Sequence, residues 1–212
     1  MSSIEKAGSA AEAVPGMTYI LEHASEAPAV HLFMASMAAL GNKRAEDAAF
    51  LFYAAQFRAQ FDLARFPPKQ SGGNSPAILL GALNQQIGEA VNPEIMRTPK
   101  SFAAVVKRVE GWSPATPGGY EPGWEYSSVA DAKARQQLAT SREAFIKQFG
   151  GMSTLLNDPQ YFAAFTIVQD FNFSTFEQMQ DPKRIKAREA AEAKMLEIEK
   201  KRDIEGLYYK RK

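Results

Sequence analysis
The chain has no cysteine and only two histidines among its 212 residues. The first absence excludes disulfides, thiolate nucleophiles and cysteine-held metals, and it removes the usual staple of a small secreted domain. The histidines, His23 and His31, stand on either side of Pro28 at a spacing that matches no paired-ligand motif. They read as structural side chains, and no metal site is expected. An excess of one charge is lacking too. The formal net charge is +1, too balanced for a dedicated nucleic-acid binder or a polybasic membrane protein. The longest uncharged apolar tract, residues 31–40, falls far short of the ~18 residues of a membrane span. The opening, MSSIEKAGSAAEAVPGM, has no basic start followed by a sustained apolar region, so no signal peptide is expected and a cytoplasmic location is. Catalytic signatures are missing as well. Gly72-Gly73 and Gly118-Gly119 belong to no phosphate-cradling or dinucleotide-binding run, and no G-x-S-x-G nominates a nucleophile. Neither an enzyme nor a cofactor is expected.

What the chain does have is apolar residues at helical spacing. It is 45% hydrophobic and 11% aromatic, and a chain of this length can bury roughly 70% of its unfolded surface, enough for one core. The clearest segment covers residues 42–67, which carry two apolar faces. Phe50, Tyr53, Ala54, Phe57, Phe61 and Ala64 fall on one side, and Phe52, Ala55, Ala59, Leu63 and Phe66 on the other. Two polar strips separate them, Arg58, Asp62 and Arg65 on one line and Gln56 and Gln60 on the other. Such a helix belongs inside a bundle. If the Arg58 strip is buried, its ions read as a register device rather than a substrate clamp.

The expected architecture is an all-α, compact multi-helix bundle: a loose leader over residues 1–16, then a single helical domain over 17–212. Helices are expected over residues 18–24, 28–40 with Leu32, Met34, Met37 and Leu40 inward, and a third one capped by Asn42 and stopped by Pro67-Pro68. Another, preceded by Ser75, runs over 76–91 with Ile78, Leu79, Leu83, Ile87 and Val91 buried, until Asn92-Pro93 breaks it. The next opens at Pro99 and reaches Trp112 with Phe102, Val105, Val106 and Val109 inside. Helices resume over 131–149, 159–170 and 182–205, the last closed by Gly206. That final helix, roughly 36 Å long at 1.5 Å per residue, is charged and mostly solvated. Its basic residues from Lys183 to Lys212, with Tyr208 and Tyr209, are interleaved with Glu and Asp, so a phosphate-tracking surface would be weak.

Residues 113–128, SPATPGGYEPGWEYSS, have neither helical nor strand period, and loops this long inside compact domains are often functional or disordered. Here Tyr120, Trp124 and Tyr126 bring aromatic area at low entropy cost, while Glu121 and Glu125 give the tip a negative rim suited to a basic cleft. These residues are the candidate partner-binding site. The same carboxylates beside aromatics evoke glycosidase chemistry, but a loop spacing fixes no acid–base geometry.

The runs DAAFLFYAAQFR at 47–58, ILLGALNQQIGEAVN at 78–92 and VVKRVEGW ending at Trp112 resemble small helical bacterial proteins encoded beside toxins of contact-dependent systems. The shared pattern is an aromatic tract ending in Gln-x-Arg (Gln56 to Arg58), a Gly-x-x-x-Asn helix end (Gly88 to Asn92) and a helix closing in Trp, over about a third of the chain. This resemblance implies an immunity protein of a type VI secretion or related polymorphic toxin system. Such a protein is cytoplasmic and non-catalytic. It binds a cognate toxin effector, such as a nucleotide-consuming enzyme, a nuclease or an ADP-ribosyltransferase, and blocks its active site. The alternative is a helical adaptor or scaffold that docks through its C-terminal helix.

Overall fold
The computed structural model describes residues 11–204. The first ten residues of the expected leader, the closure at Gly206 and the tail carrying Tyr208, Tyr209 and Lys210 to Lys212 lie outside the described residues. In chain order the elements are α1 (Val14–Glu22), α2 (Ala29–Gly41), α3 (Ala45–Arg65), α4 (Pro76–Met96), α5 (Pro99–Glu110) and α6 (Asp131–Phe145). A π-helical turn (Ile146–Gly150), α7 (Gly151–Leu156), α8 (Pro159–Asn172), the single-turn α9 (Phe176–Met179) and α10 (Pro182–Lys201) follow. Among the described residues the only strand-like pairing is an isolated bridge between Pro68 and Tyr126. The fold is an all-α bundle, and no described helix is long and apolar enough to cross a membrane.

α3 is the hub, packing against α2, α4, α5 and α6. Both of its apolar faces are buried from Phe50 to Ala64, Leu63 alone being half-exposed. Each of its buried phenylalanines contributes roughly 2–3 kcal/mol of apolar burial, so this helix carries a large share of the core. Its rings continue into the second half of the chain. Tyr53 and Phe57 both meet Phe145 edge-on at 5.4 Å, and Phe145 stacks on Phe149 at 4.6 Å.

Several boundaries and faces differ from expectation, each for a local reason. α1 opens at Val14, inside the stretch expected as leader, with Ala13 and Gly16 already buried. α2 turns Leu32, Phe33, Ser36 and Ala39 inward and leaves Met37 42% exposed. Small residues win that face because they let α2 approach α3 closely, where the Ser36 hydroxyl donates to the Ala48 carbonyl at 2.7 Å. Asn42 caps the helix behind it rather than the one ahead, since its side-chain amide donates to the Ala38 carbonyl at 2.8 Å. Ser75 stands at the N-cap of α4 but makes no side-chain cap hydrogen bond. Ile78 and Leu79 are 52% and 55% exposed, because the first turn of α4 turns Pro76 and Leu80 inward and leaves these two on its outer side. Pro93 does not break α4, which runs on to Met96 with the proline inside it.

Beyond the loop, the helix expected over 131–149 is interrupted at Ile146 by the π-helical turn. α10 lays Ala191, Met195, Ile198 and Glu199 against α8 and leaves its outer face charged and exposed. The buried Tyr161 hydroxyl donates to Glu199 at 2.8 Å, and Arg202 pairs with Asp158 at 2.7 Å, fixing the two helices in register.

Candidate functional site
The loop between α5 and α6 is not loose. Arg58 and Asp62, one turn apart on α3, are fully buried and 3.1 Å apart as an ion pair. Two buried charges need more partners than each other, and the loop supplies them. Arg58 Nε donates to the Tyr120 hydroxyl at 2.9 Å, the same hydroxyl donates to Asp62 Oδ2, and Arg58 Nη1 donates to the Ala115 carbonyl at 2.7 Å. The guanidinium also lies 4.0 Å over the Tyr120 ring. Burial pushes the Asp62 carboxyl up to about 6 despite Arg58 and Tyr120, and burial likewise raises the Tyr120 phenol, which stays a proton donor. Arg65 leaves this strip and pairs with Asp131 of α6 at 2.6 Å, so the expected ion trio is divided between a buried register device and a link to α6.

The rest of the loop is stitched to the end of α3. The Trp124 indole donates to the Phe66 carbonyl at 2.8 Å, and Tyr126 packs on the Phe66 ring at 5.0 Å. Main-chain bonds from Ala115 to Ser25, Lys69 to Glu125, Ser127 to Pro67 and Ala130 to Arg65, all between 2.6 and 3.0 Å, close the path. Gly119 and Gly123, at φ +80° and +94°, immediately precede Tyr120 and Trp124. A Cβ at either would meet nothing within 4 Å, so glycine is needed there for backbone conformation, to turn each aromatic inward.

The five residues expected to bind a partner therefore divide. Tyr120, Trp124 and Tyr126 are half-buried anchors. Glu121 and Glu125 are exposed, and Glu125 makes only a loose 3.7 Å pairing with Lys69. Beside them a cleft of about 350 Å³ separates the loop from the α1–α2 turn, lined by Tyr19, His23, Glu26, His31, Tyr120 and Glu121. His23 stacks on Tyr19 at 4.3 Å. The two histidines thus share one wall of a concavity, which their sequence spacing did not suggest, yet no group of metal-type donors gathers among the described residues. The site offers charge and shape.

A second concavity, of about 710 Å³, runs between α4, the π-helical turn and α8. Its residues were missed by sequence reasoning, although Gly88, Asn92 and Pro93 gave a signal there that reads equally as a helix end. Comparison of the chain with family models, curated proteins and solved structures returns no match.

Proposed function
We propose that this chain is an immunity-type binding protein. It recognises a cognate toxin that acts in the cytoplasm, a nucleotide-consuming enzyme, a nuclease or an ADP-ribosyltransferase, and neutralises it by occluding its active site. The observation that supports this reading best is the pinned loop, whose aromatics are anchored inside the body while Glu121 and Glu125 face solvent. A loop ordered before binding loses little conformational entropy when a partner arrives, which is the main route to tight association without a large interface. Its two carboxylates suit the basic cleft of an enzyme that handles phosphate-bearing substrates. The resemblance of the α3, α4 and α5 sequences to immunity proteins points the same way. An adaptor docking through its final helix has less support, since the apolar stripe of α10 is already covered by α8.

The test is coexpression with the product of the adjacent gene, which this reading takes to be the toxin. The wild-type chain restores growth and copurifies with the toxin, and a Glu121→Ala/Glu125→Ala variant does both poorly while melting normally. No complex and no rescue would refute the proposal.

A further inference from the structure
The cleft between the α1–α2 turn and the α5–α6 loop brings together two carboxylates from separate segments. Glu26 comes from the turn and Glu121 from the loop, and both are exposed. Among the described residues neither forms an ion pair, and no lysine or arginine lines the cleft. Two like charges on the walls of one concavity, with no cation between them, make it a place that favours a positive group. The walls are held at a fixed separation. The Ala115 N–H of the loop donates to the Ser25 carbonyl of the turn at 2.6 Å, and Arg58 holds Tyr120 beside Glu121.

The same cleft has a flat aromatic wall. Tyr19 and His23, one turn apart at the end of α1, stack at 4.3 Å with 24° between their planes, and Tyr19 is 63% exposed. A carbonyl can only accept, so the 2.9 Å contact between His23 Nδ1 and the Tyr19 carbonyl places the ring proton on Nδ1. In the neutral imidazole Nε2 is then an acceptor. On the opposite wall the Tyr120 hydroxyl already gives its proton to Asp62. The two carboxylates and the imidazole nitrogen therefore offer acceptors, and the complementary ligand is a cation rich in N–H donors.

The aromatic wall separates arginine from lysine. A guanidinium is planar, stacks on aromatic faces and presents a fork of N–H groups to carboxylates, whereas an ammonium is a compact point charge that gains from the carboxylates alone. A cleft of about 350 Å³ is at the small end of ligand sites, with room for one long side chain. We infer that this cleft binds an arginine side chain of a partner protein, its guanidinium held by Glu26 and Glu121 and stacked on the Tyr19–His23 platform. The source is a partner because Tyr120 and Glu121 belong both to the cleft and to the loop proposed above as the protein-binding face, and the inference rests on that reading. Arginine is also the residue with which enzymes grip phosphate groups, so its capture would withdraw it from substrate.

The experiment titrates the isotope-labelled full chain with N-acetyl-arginine methylamide at pH 8, above the ordinary range of imidazole, and follows amide shifts by NMR. Saturable shifts at Tyr19, His23 and Gly119, with a Kd of roughly millimolar order, are expected. The lysine counterpart should bind about threefold or more weakly, and the uncharged citrulline counterpart should not bind. Tyr19→Ala should bring arginine down to the lysine level, and Glu26→Gln should weaken it about threefold or more, both with an unchanged melting temperature because the side chains are exposed. Glu94→Gln, which removes the same charge from α4 outside the cleft, should bind arginine as the wild type does. Lysine or citrulline binding as well as arginine, or full affinity in Glu26→Gln, overturns the inference. So does agmatine binding more than tenfold tighter than the blocked arginine, which would make the cleft a small-molecule site. The titration needs no toxin. A chain that binds the arginine probe and rescues no cell defeats the immunity reading, and one that rescues cells without binding the probe defeats the cleft alone.

Discussion
Tyr120 and Arg58, far apart in sequence, form one unit: the guanidinium lies 4.0 Å over the phenol ring while its Nε donates to the phenol oxygen at 2.9 Å. Through that oxygen the ring also reaches Asp62. A surface loop has thus become the third member of a buried ion pair, and this is why so many residues without regular structure hold a defined path.

Tyr120→Phe keeps the ring over Arg58 and removes the hydroxyl that links the two charges. Burying charged groups with one partner fewer costs roughly 2–3 kcal/mol. Urea unfolding should show that loss with an unchanged m-value. A difference under about 0.5 kcal/mol, the range of an ordinary surface substitution, would mean the hydroxyl bears no load.

Asp62 sets a pH dependence whose sign follows from its raised pKa. In the folded chain it holds its proton up to about pH 6, against 3.8 for an ordinary aspartate, chiefly because burial penalises its charge. Between those values the folded state binds more protons than the unfolded one, so the contribution of this group is fully present below about pH 4. It is lost as pH rises to about 6, by up to roughly 3 kcal/mol across that interval. Denaturant titrations of wild type and Asp62→Asn over that range should differ in slope accordingly. Parallel curves would contradict the assignment.

How far this was legible in the sequence depends on whether burial was set locally. The two faces of α3 were readable because every fourth side chain meets the same neighbour, and Phe50 to Ala64 obeyed that period. Met37, Ile78 and Leu79 broke it, since their exposure depends on which helix passes beside them. Asn42 favoured the helix behind it over the one ahead, two capping roles that its sequence position left equal. The loop was found by its lack of period, but the inward turn of Tyr120 and Trp124 depends on Arg58 and on the Phe66 carbonyl, remote contacts that no local pattern encodes. The second concavity was invisible for a similar reason. Asn84, Gln148 and Gln169 come from α4, the π-helical turn and α8, three elements that only tertiary packing brings to one groove.

Gly88→Ala forces its new methyl to 2.9 Å from Phe52, a ring only 1% exposed and unable to withdraw. Overpacking of this kind costs about 1–3 kcal/mol, offset by the roughly 0.5–1 kcal/mol that alanine gains over glycine inside a helix. Thermal melting should therefore show a net loss, and Phe52→Leu in the same chain should recover part of it. A stabilised Gly88→Ala protein would show that α4 and α3 do not meet as closely as described.

Glu121→Gln/Glu125→Gln should leave stability within about 0.5 kcal/mol, because both side chains are exposed. Against a toxin with a basic cleft, surface plasmon resonance should show a several-fold slower association at low salt and a weaker salt dependence, since exposed charges act mainly by steering encounter. An unchanged on-rate would remove the loop carboxylates from the interface.

Whether the loop between α5 and α6 is a rigid display surface is tested most directly by amide hydrogen exchange on the full chain, resolved at Ala115, Ser127 and Ala130. Each donates to a main-chain carbonyl outside its own segment at 2.6, 3.0 and 2.8 Å respectively. Protection of all three should approach that of α3 and be lost in Tyr120→Ala. Exchange at the rate of an unstructured peptide in the wild-type chain would contradict the rigid loop.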